Sequence, residues 1–180
     1  MSKTSKNIIL IGFMGSGKTT VGKILSQTLQ RKLLDSDHAI EDHTKRSISD
    51  IFEKEGEKAF RDIETEVIKN ISAQSGMIIS CGGGSLERDE NVKELKKNGI
   101  IIWLKPPFKV ILSRIIHSSH RPLTKITEGN KTVEETLRKR YMDRYLTYQS
   151  AADIIINTGN RNIYSVVNEV VKRLAQKGVR

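Results

Sequence analysis

Gly12-Phe13-Met14-Gly15-Ser16-Gly17-Lys18-Thr19 constrains this chain more than any other stretch. It meets every position of the P-loop pattern G-x-x-x-x-G-K-[ST], and it stands between an apolar run and a helical pattern. Asn7 to Ile11 is a short continuous apolar run that stops at glycine, as does a strand buried on both faces of a parallel sheet. Val21, Ile24, Leu25 and Leu29 then recur at helical spacing. Strand, glycine loop and helix in that order aim backbone N–H groups and the positive end of the helix dipole at phosphate oxygens. Gly15, Ser16, Gly17, Lys18, Thr19 and Thr20 are therefore the candidate triphosphate contacts, with Lys18 bridging the β and γ phosphates and Thr19 ligating Mg²⁺.

The remaining pattern alternates strands with helices. Leu33-Leu34 begins a second strand ending at Asp35-Ser36-Asp37, and helical patterns follow over Ile48 to Glu55 and Lys58 to Ile71. Met77 to Ser80 is an apolar strand stopped by Gly82-Gly83-Gly84. Asn91 to Asn98 reads as a crossover helix, and Ile100 to Leu104 is a strand stopped by Pro106-Pro107. Helix is expected over Phe108 to Ile116 and Val133 to Tyr148, a strand over Ile154 to Ile156, and a final helix whose buried stripe is Ile163, Val166, Val167, Val170, Val171 and Leu174. His117 to Lys131 is polar, without apolar period, and reads as a mobile loop. The pattern predicts an α/β fold with a parallel sheet covered on both faces and ligands at the carboxyl ends of its strands.

Composition bounds the function classes. A chain of 180 residues, 37% of them hydrophobic, suits one domain over 1–180. The lone Cys81 forms no internal disulfide, and no Cys/His pair has zinc-ligand spacing, so a reducing compartment is expected. The apolar run near the N-terminus stops at Gly12, too short for a signal segment or a membrane span, so a cytoplasmic protein is expected, with no membrane partner. A net charge of +10 raises the question of nucleic acid. Acidic residues interleave with the basic ones and only 5% of residues are aromatic, so there is no stacking platform for bases and no nucleic-acid partner is expected.

Other residues suit a kinase. Met77 to Ser80 runs into glycines where motor ATPases carry an Asp, and Asn130-Lys131-Thr132-Val133 lacks the guanine-reading pattern of GTPases. Asp35 and Asp37, two residues apart, would lie on one face of an extended segment facing the P-loop; the competing assignment for Asp37 is a helix N-cap. Arg61 and Glu64 are spaced to touch on a helix. Gly82-Gly83-Gly84 either admits a ligand close to the backbone or makes a simple turn. Arg121 could carry a guanidinium to the triphosphate.

Taken in order, Gly12 to Thr20, Leu34-Asp35-Ser36-Asp37, Phe60-Arg61-x-x-Glu64, Gly82-Gly83-Gly84, Arg121-Pro122-Leu123 and Arg144-x-x-x-Tyr148 followed by Ala152-Asp153 resemble the shikimate kinases over nearly the whole chain. The resemblance implies a three-layer αβα P-loop kinase fold shared with nucleoside monophosphate kinases. Its five-stranded parallel sheet has order 2-3-1-4-5, with a substrate-binding helical region at about 36–72 and a lid at about 117–131. It implies transfer of phosphate from MgATP to the 3-hydroxyl of shikimate, a step of chorismate and aromatic amino-acid biosynthesis, by a protein expected to be monomeric.

The resemblance also implies roles. Asp37 would orient the acceptor hydroxyl and take its proton, and Asp35 would hold Mg²⁺ through water. Arg61 and Arg144 would clamp the substrate carboxylate; Leu146-Thr147 departs from the proline and leucine the family often has before the Tyr, and Arg140 is a rival to Arg144. Glu64 would hold Arg61, Gly83 would offer its N–H to the substrate, and Gly82 and Gly84 would flank it. Arg121 would reach the transferring phosphate, and Arg114 and Arg161 would contact adenine. A kinase for gluconate or a nucleoside monophosphate, and a non-catalytic binding module, remain as alternatives.

Overall fold

The computed structural model describes residues 5–117 and 132–179. Its first strand, β1 (Asn7–Ile11), is completely buried and pairs in parallel with a strand on each side. That double pairing explains the unbroken apolar run: a strand with neighbours on both edges and helices on both faces has no solvent side to pattern. Helix α1 (Lys18–Leu29) follows, then β2 (Leu33–Asp35), α2 (Ser36–Thr44), α3 (Ile48–Ser72), β3 (Ile78–Ser80), α4 (Asp89–Lys97) and β4 (Gly99–Lys105). The chain continues through α5 (Phe108–Ile116), α6 (Val133–Ala151), β5 (Ile154–Asn157) and α7 (Ile163–Gln176). All strand pairs are parallel and the order is β2-β3-β1-β4-β5, as the resemblance implies.

Side chains on a strand alternate between faces, and here the alternation divides the core in two. Ile9, Ile11, Ile79, Ile101 and Trp103 join Ile40, Ile51, Ile68, Leu95, Ile111, Leu137 and Tyr148 from α2 to α6. Ile8, Leu10, Ile78, Ile102 and Leu104 join Val21 and Leu25 of α1 and Val166, Val167, Val170 and Leu174 of α7. Three layers result, with α1 and α7 on one face and the other helices on the opposite face.

The sequence separates two helical patterns around Gly56, and the structure shows why. Two helices meet at a kink within the span of α3, where Gly56 takes φ 81° and ψ 178°, values no helix holds. Helix α2 was expected only as part of a helical region at 36–72; it is a separate helix capped by Asp35. The proposed lid at 117–131 lies outside the described residues except for His117, which closes the C-terminus of α5.

Candidate active site

Both halves of the site form where β1, β3 and β2 end. After β1, Gly15 and Gly17 take φ of 75° and 94°, left-handed values that a side chain disfavours, and Gly17 is the N-cap of α1. Lys18 folds back over the loop, its Nζ donating to the carbonyls of Gly12 at 2.7 Å and Phe13 at 3.2 Å. Ser16 Oγ is buried with no hydrogen-bond partner among the described residues. Residues 14–21 line a cavity of about 420 Å³ whose far wall is Arg114, Thr158, Gly159 and Arg161. Arg114 is anchored to the loop, with Nη1 donating to Gly15 O at 2.9 Å. Arg161, just ahead of α7, is tied to that helix by Glu169 and by Ser165 O. The fold thus brings Arg114 and Arg161 to one cavity with Gly15, Ser16, Gly17, Lys18, Thr19 and Thr20.

The glycine triplet after β3 is there for space. None of Gly82, Gly83 and Gly84 has a positive φ, so a simple turn would not need them. A methyl group on Gly82 would collide with Asp37 Oδ1, one on Gly83 would lie 3.3 Å from Arg144 Nη1, and one on Gly84 would lie 2.7 Å from Arg61 Nη2. Each glycine therefore leaves room for one of three charged side chains, which come from α2, α6 and α3. The turn itself is held by Ser36 Oγ, which accepts from Gly82 N at 2.8 Å, and by Tyr148, whose hydroxyl donates to Gly83 O at 2.5 Å.

Arg61 and Arg144 meet across this turn. Arg61 Nη1 contacts Glu64 Oε2 at 2.7 Å, and Glu64 Oε1 accepts from Ser85 Oγ at 2.8 Å, so the buried Glu64 fixes one edge of the guanidinium. Burial works against the charge on Arg61, but the Glu64 hydrogen bond and the charges of Glu64 and Glu87 outweigh it and its pKa is raised. Glu87 lies between the two arginines: Oε2 is 2.9 Å from Arg61 Nη2, and Oε1 is 2.9 Å from Arg144 Nε and 2.7 Å from its Nη2. Arg140 lines the same cavity of about 280 Å³ as Arg144, Gly83, Glu87 and Tyr148, but Arg144 is the one that shares a carboxylate with Arg61.

The arrangement expected for Asp35 and Asp37 needs correcting. They do not share a face of an extended segment. Asp35 ends β2 and is itself the N-cap of α2, accepting from the N–H groups of Asp37 at 3.0 Å and His38 at 3.4 Å, which places Asp37 in the first helical turn. The N-cap assignment weighed for Asp37 falls to Asp35 instead. Asp37 still reaches the glycine turn, now from a helix. Cys81, buried at the end of β3, registers the charges that converge here: burial lifts its thiol far above the ordinary value, with Glu64, Asp37 and Asp35 adding to the lift and Lys18 opposing it.

The family model for shikimate kinase matches residues 14–175. The chain belongs to the shikimate kinase family. The shikimate kinase of Thermodesulfovibrio yellowstonii is 41% identical over 167 residues, covering 93% of this chain and 94% of that protein. Among solved structures, shikimate kinase from Acinetobacter baumannii in complex with shikimate superposes with a TM-score of 0.87 at 34% identity, covering 99% of this chain and 97% of that one. The Aquifex aeolicus shikimate kinase superposes with a TM-score of 0.81, also at 34% identity, covering 96% and 98%. Membership in this family makes the protein an ATP-dependent phosphotransferase.

The oxygen chemistry of Thr19 and Asp35 suits magnesium. Thr19 and Asp35 supply only oxygen, the Asp35 contacts all fall on Oδ1 and leave Oδ2 out, and no group of three or more His, Cys, Asp or Glu forms a protein-only cage among the described residues. Magnesium is typically held in this way, by one or two protein oxygens with phosphates and waters completing the shell. Arg121 lies outside the described residues. The sequence reading missed Glu87, Ser36 and Ser85, each of which touches a residue it named. No helix among the described residues is long and apolar enough to cross a membrane.

Proposed function

We propose that the protein transfers the γ-phosphate of MgATP to the 3-hydroxyl of shikimate, giving shikimate 3-phosphate and ADP. The observation that carries this reading is the glycine triplet. One cleared position per charged side chain gathers a carboxylate, Asp37, and two guanidiniums, Arg61 and Arg144, around the turn, and a methyl group on Gly83 would stand 3.9 Å from the backbone nitrogen of Met14 in the loop. A small hydroxylated acid fits such a site, with its carboxylate on the arginines and a hydroxyl on Asp37 beside the triphosphate.

In this mechanism the acceptor oxygen bonds to the γ-phosphorus as the bond from that phosphorus to the β,γ-bridging oxygen breaks. Asp37 orients the hydroxyl and receives its proton. Lys18 and the amides of residues 15–20 hold the phosphates, and Gly83 N–H meets the acceptor. Gly82 and Gly84 keep room for the acceptor and its clamp, and Glu64 keeps Arg61 in register. Thr19 and Asp35 would hold magnesium, which when bound would supply positive charge against the triphosphate. Arg114 and Arg161 cover adenine, and Arg121 brings a further positive charge to the transferring group. The protein acts as a single domain over 1–180 and as a monomer, in the cytoplasm.

Coupled measurement of ADP release with shikimate, gluconate and nucleoside monophosphates as acceptors tests the reading. Turnover with shikimate alone is expected. Turnover with gluconate or a monophosphate and none with shikimate would reassign the acceptor.

A further inference from the structure

Three carboxylates touch Arg61, and they differ in what else they do. Glu64 has a side chain 2% exposed and is committed to Arg61 and Ser85. Glu57 is an exposed neighbour one helical turn away, at 3.3 Å. Glu87, 37% exposed, sits in the segment between β3 and α4, and its carboxylate is shared between Arg61 and Arg144. It also forms part of the wall of the 280 Å³ cavity. Its position relative to the two guanidiniums is the one an acceptor carboxylate would take.

Resting on the shikimate reading of this site, we propose that Glu87 is an internal competitor for the carboxylate clamp. It closes Arg61 onto Arg144 in the resting protein, and every acid that binds must first displace it. The chain has the means for this exchange. Glu64 remains on the other edge of Arg61 and keeps that guanidinium in place when Glu87 leaves. The Glu87 side chain is part-exposed, so it can turn toward solvent without unpacking the core.

The consequence is a threshold. If the clamp is clear only a fraction of the time, apparent affinity falls by that fraction, equally for any ligand that needs it. A ring carboxylate without hydroxyls has nothing else to offset the displacement. An acceptor that also engages Asp37 and Gly83 does. Glu87 therefore sets an affinity threshold for every carboxylate at the clamp while touching no reacting atom.

The test is Glu87→Gln, which keeps the shape and removes the charge, with Glu87→Ala as a second variant should the amide set a donor against the arginines. The readouts are KM for shikimate and the inhibition constant of cyclohexanecarboxylate in the same assay. Both constants are expected to fall by the same factor, about threefold to tenfold for a part-exposed and screened ion pair, while KM for ATP stays put. A higher KM for shikimate in both variants would show Glu87 to be a permanent brace of the clamp and overturn the proposal. Unchanged constants, or a fall in one without the other, would overturn it as well, because one displaced group must weigh on both ligands. Absence of shikimate turnover in the unsubstituted protein would instead remove the acceptor reading, and this proposal with it.

Discussion

The proposed phosphate contacts come from one stretch, Gly15 to Thr20, whereas the side chains gathered at the glycine turn come from α2, α3, the segment before α4, and α6. The first is made mostly of backbone, set by two left-handed glycines and the start of a helix. The second is made of charged side chains packed into space that three further glycines leave open. A backbone cradle is specified by local sequence and binds what all triphosphates share. A side-chain cradle is specified by the fold and can discriminate among acceptors. The two should therefore fail separately.

Asp37→Asn is the strongest way to break the comparison. Losing the proposed proton acceptor is expected to lower kcat by roughly 10²- to 10⁴-fold, while nucleotide affinity measured by calorimetry shifts by less than about twofold, as for sites without shared contacts. Joint loss of both would mean the two sites are one unit. Arg144→Ala comes next: removing one charged partner of the acceptor carboxylate should raise KM for shikimate roughly ten- to hundredfold, with KM for ATP unmoved. The same change at Arg140 serves as the comparison, and a larger effect there would move the clamp one turn along α6.

Gly84→Ala sharpens the space argument. Its new methyl would stand 2.7 Å from Arg61 Nη2, so the arginine must shift, and KM for shikimate should rise by about tenfold with little loss of fold stability. A normal KM would return the triplet to the status of an ordinary turn. The smallest effect concerns Cys81. Burial, reinforced by nearby carboxylates, keeps its thiol protonated, so a thiol reagent at pH 8 should label it only after denaturation. The sign for stability follows: the folded state holds this proton more tightly than the unfolded chain, so the contribution is complete below the ordinary thiol value of 9.0 and is lost as pH rises beyond it. A Cys81→Ala variant should show a shallower alkaline decline in melting temperature.

These two regions also differ in how far they could be read in advance. The P-loop was legible residue by residue because contiguous sequence sets it. The strands were legible because burial on both faces leaves a run with no polar breaks, and the interruption at Gly56 appeared as a gap between two helical patterns. Asp35 and Asp37 were found, but their geometry was not: spacing alone suits both an extended pair and a cap, and the hydrogen bonds from the N–H groups of Asp37 and His38 to Asp35 Oδ1 decide for the cap at Asp35. Glu64 was legible as a partner of Arg61 at helical spacing, yet its burial against Ser85 depends on the turn after β3. Glu87 carried no local signal, since its partner Arg144 is 57 residues away and only the packing of α6 beside the glycine turn joins them.

Phosphorus NMR of the protein with MgATP and shikimate tests the central claim most directly, because it separates transfer to an acceptor from hydrolysis. As the γ-phosphate resonance decays, a phosphate monoester resonance should grow in equal amount alongside ADP. ADP accompanied only by inorganic phosphate would contradict the account.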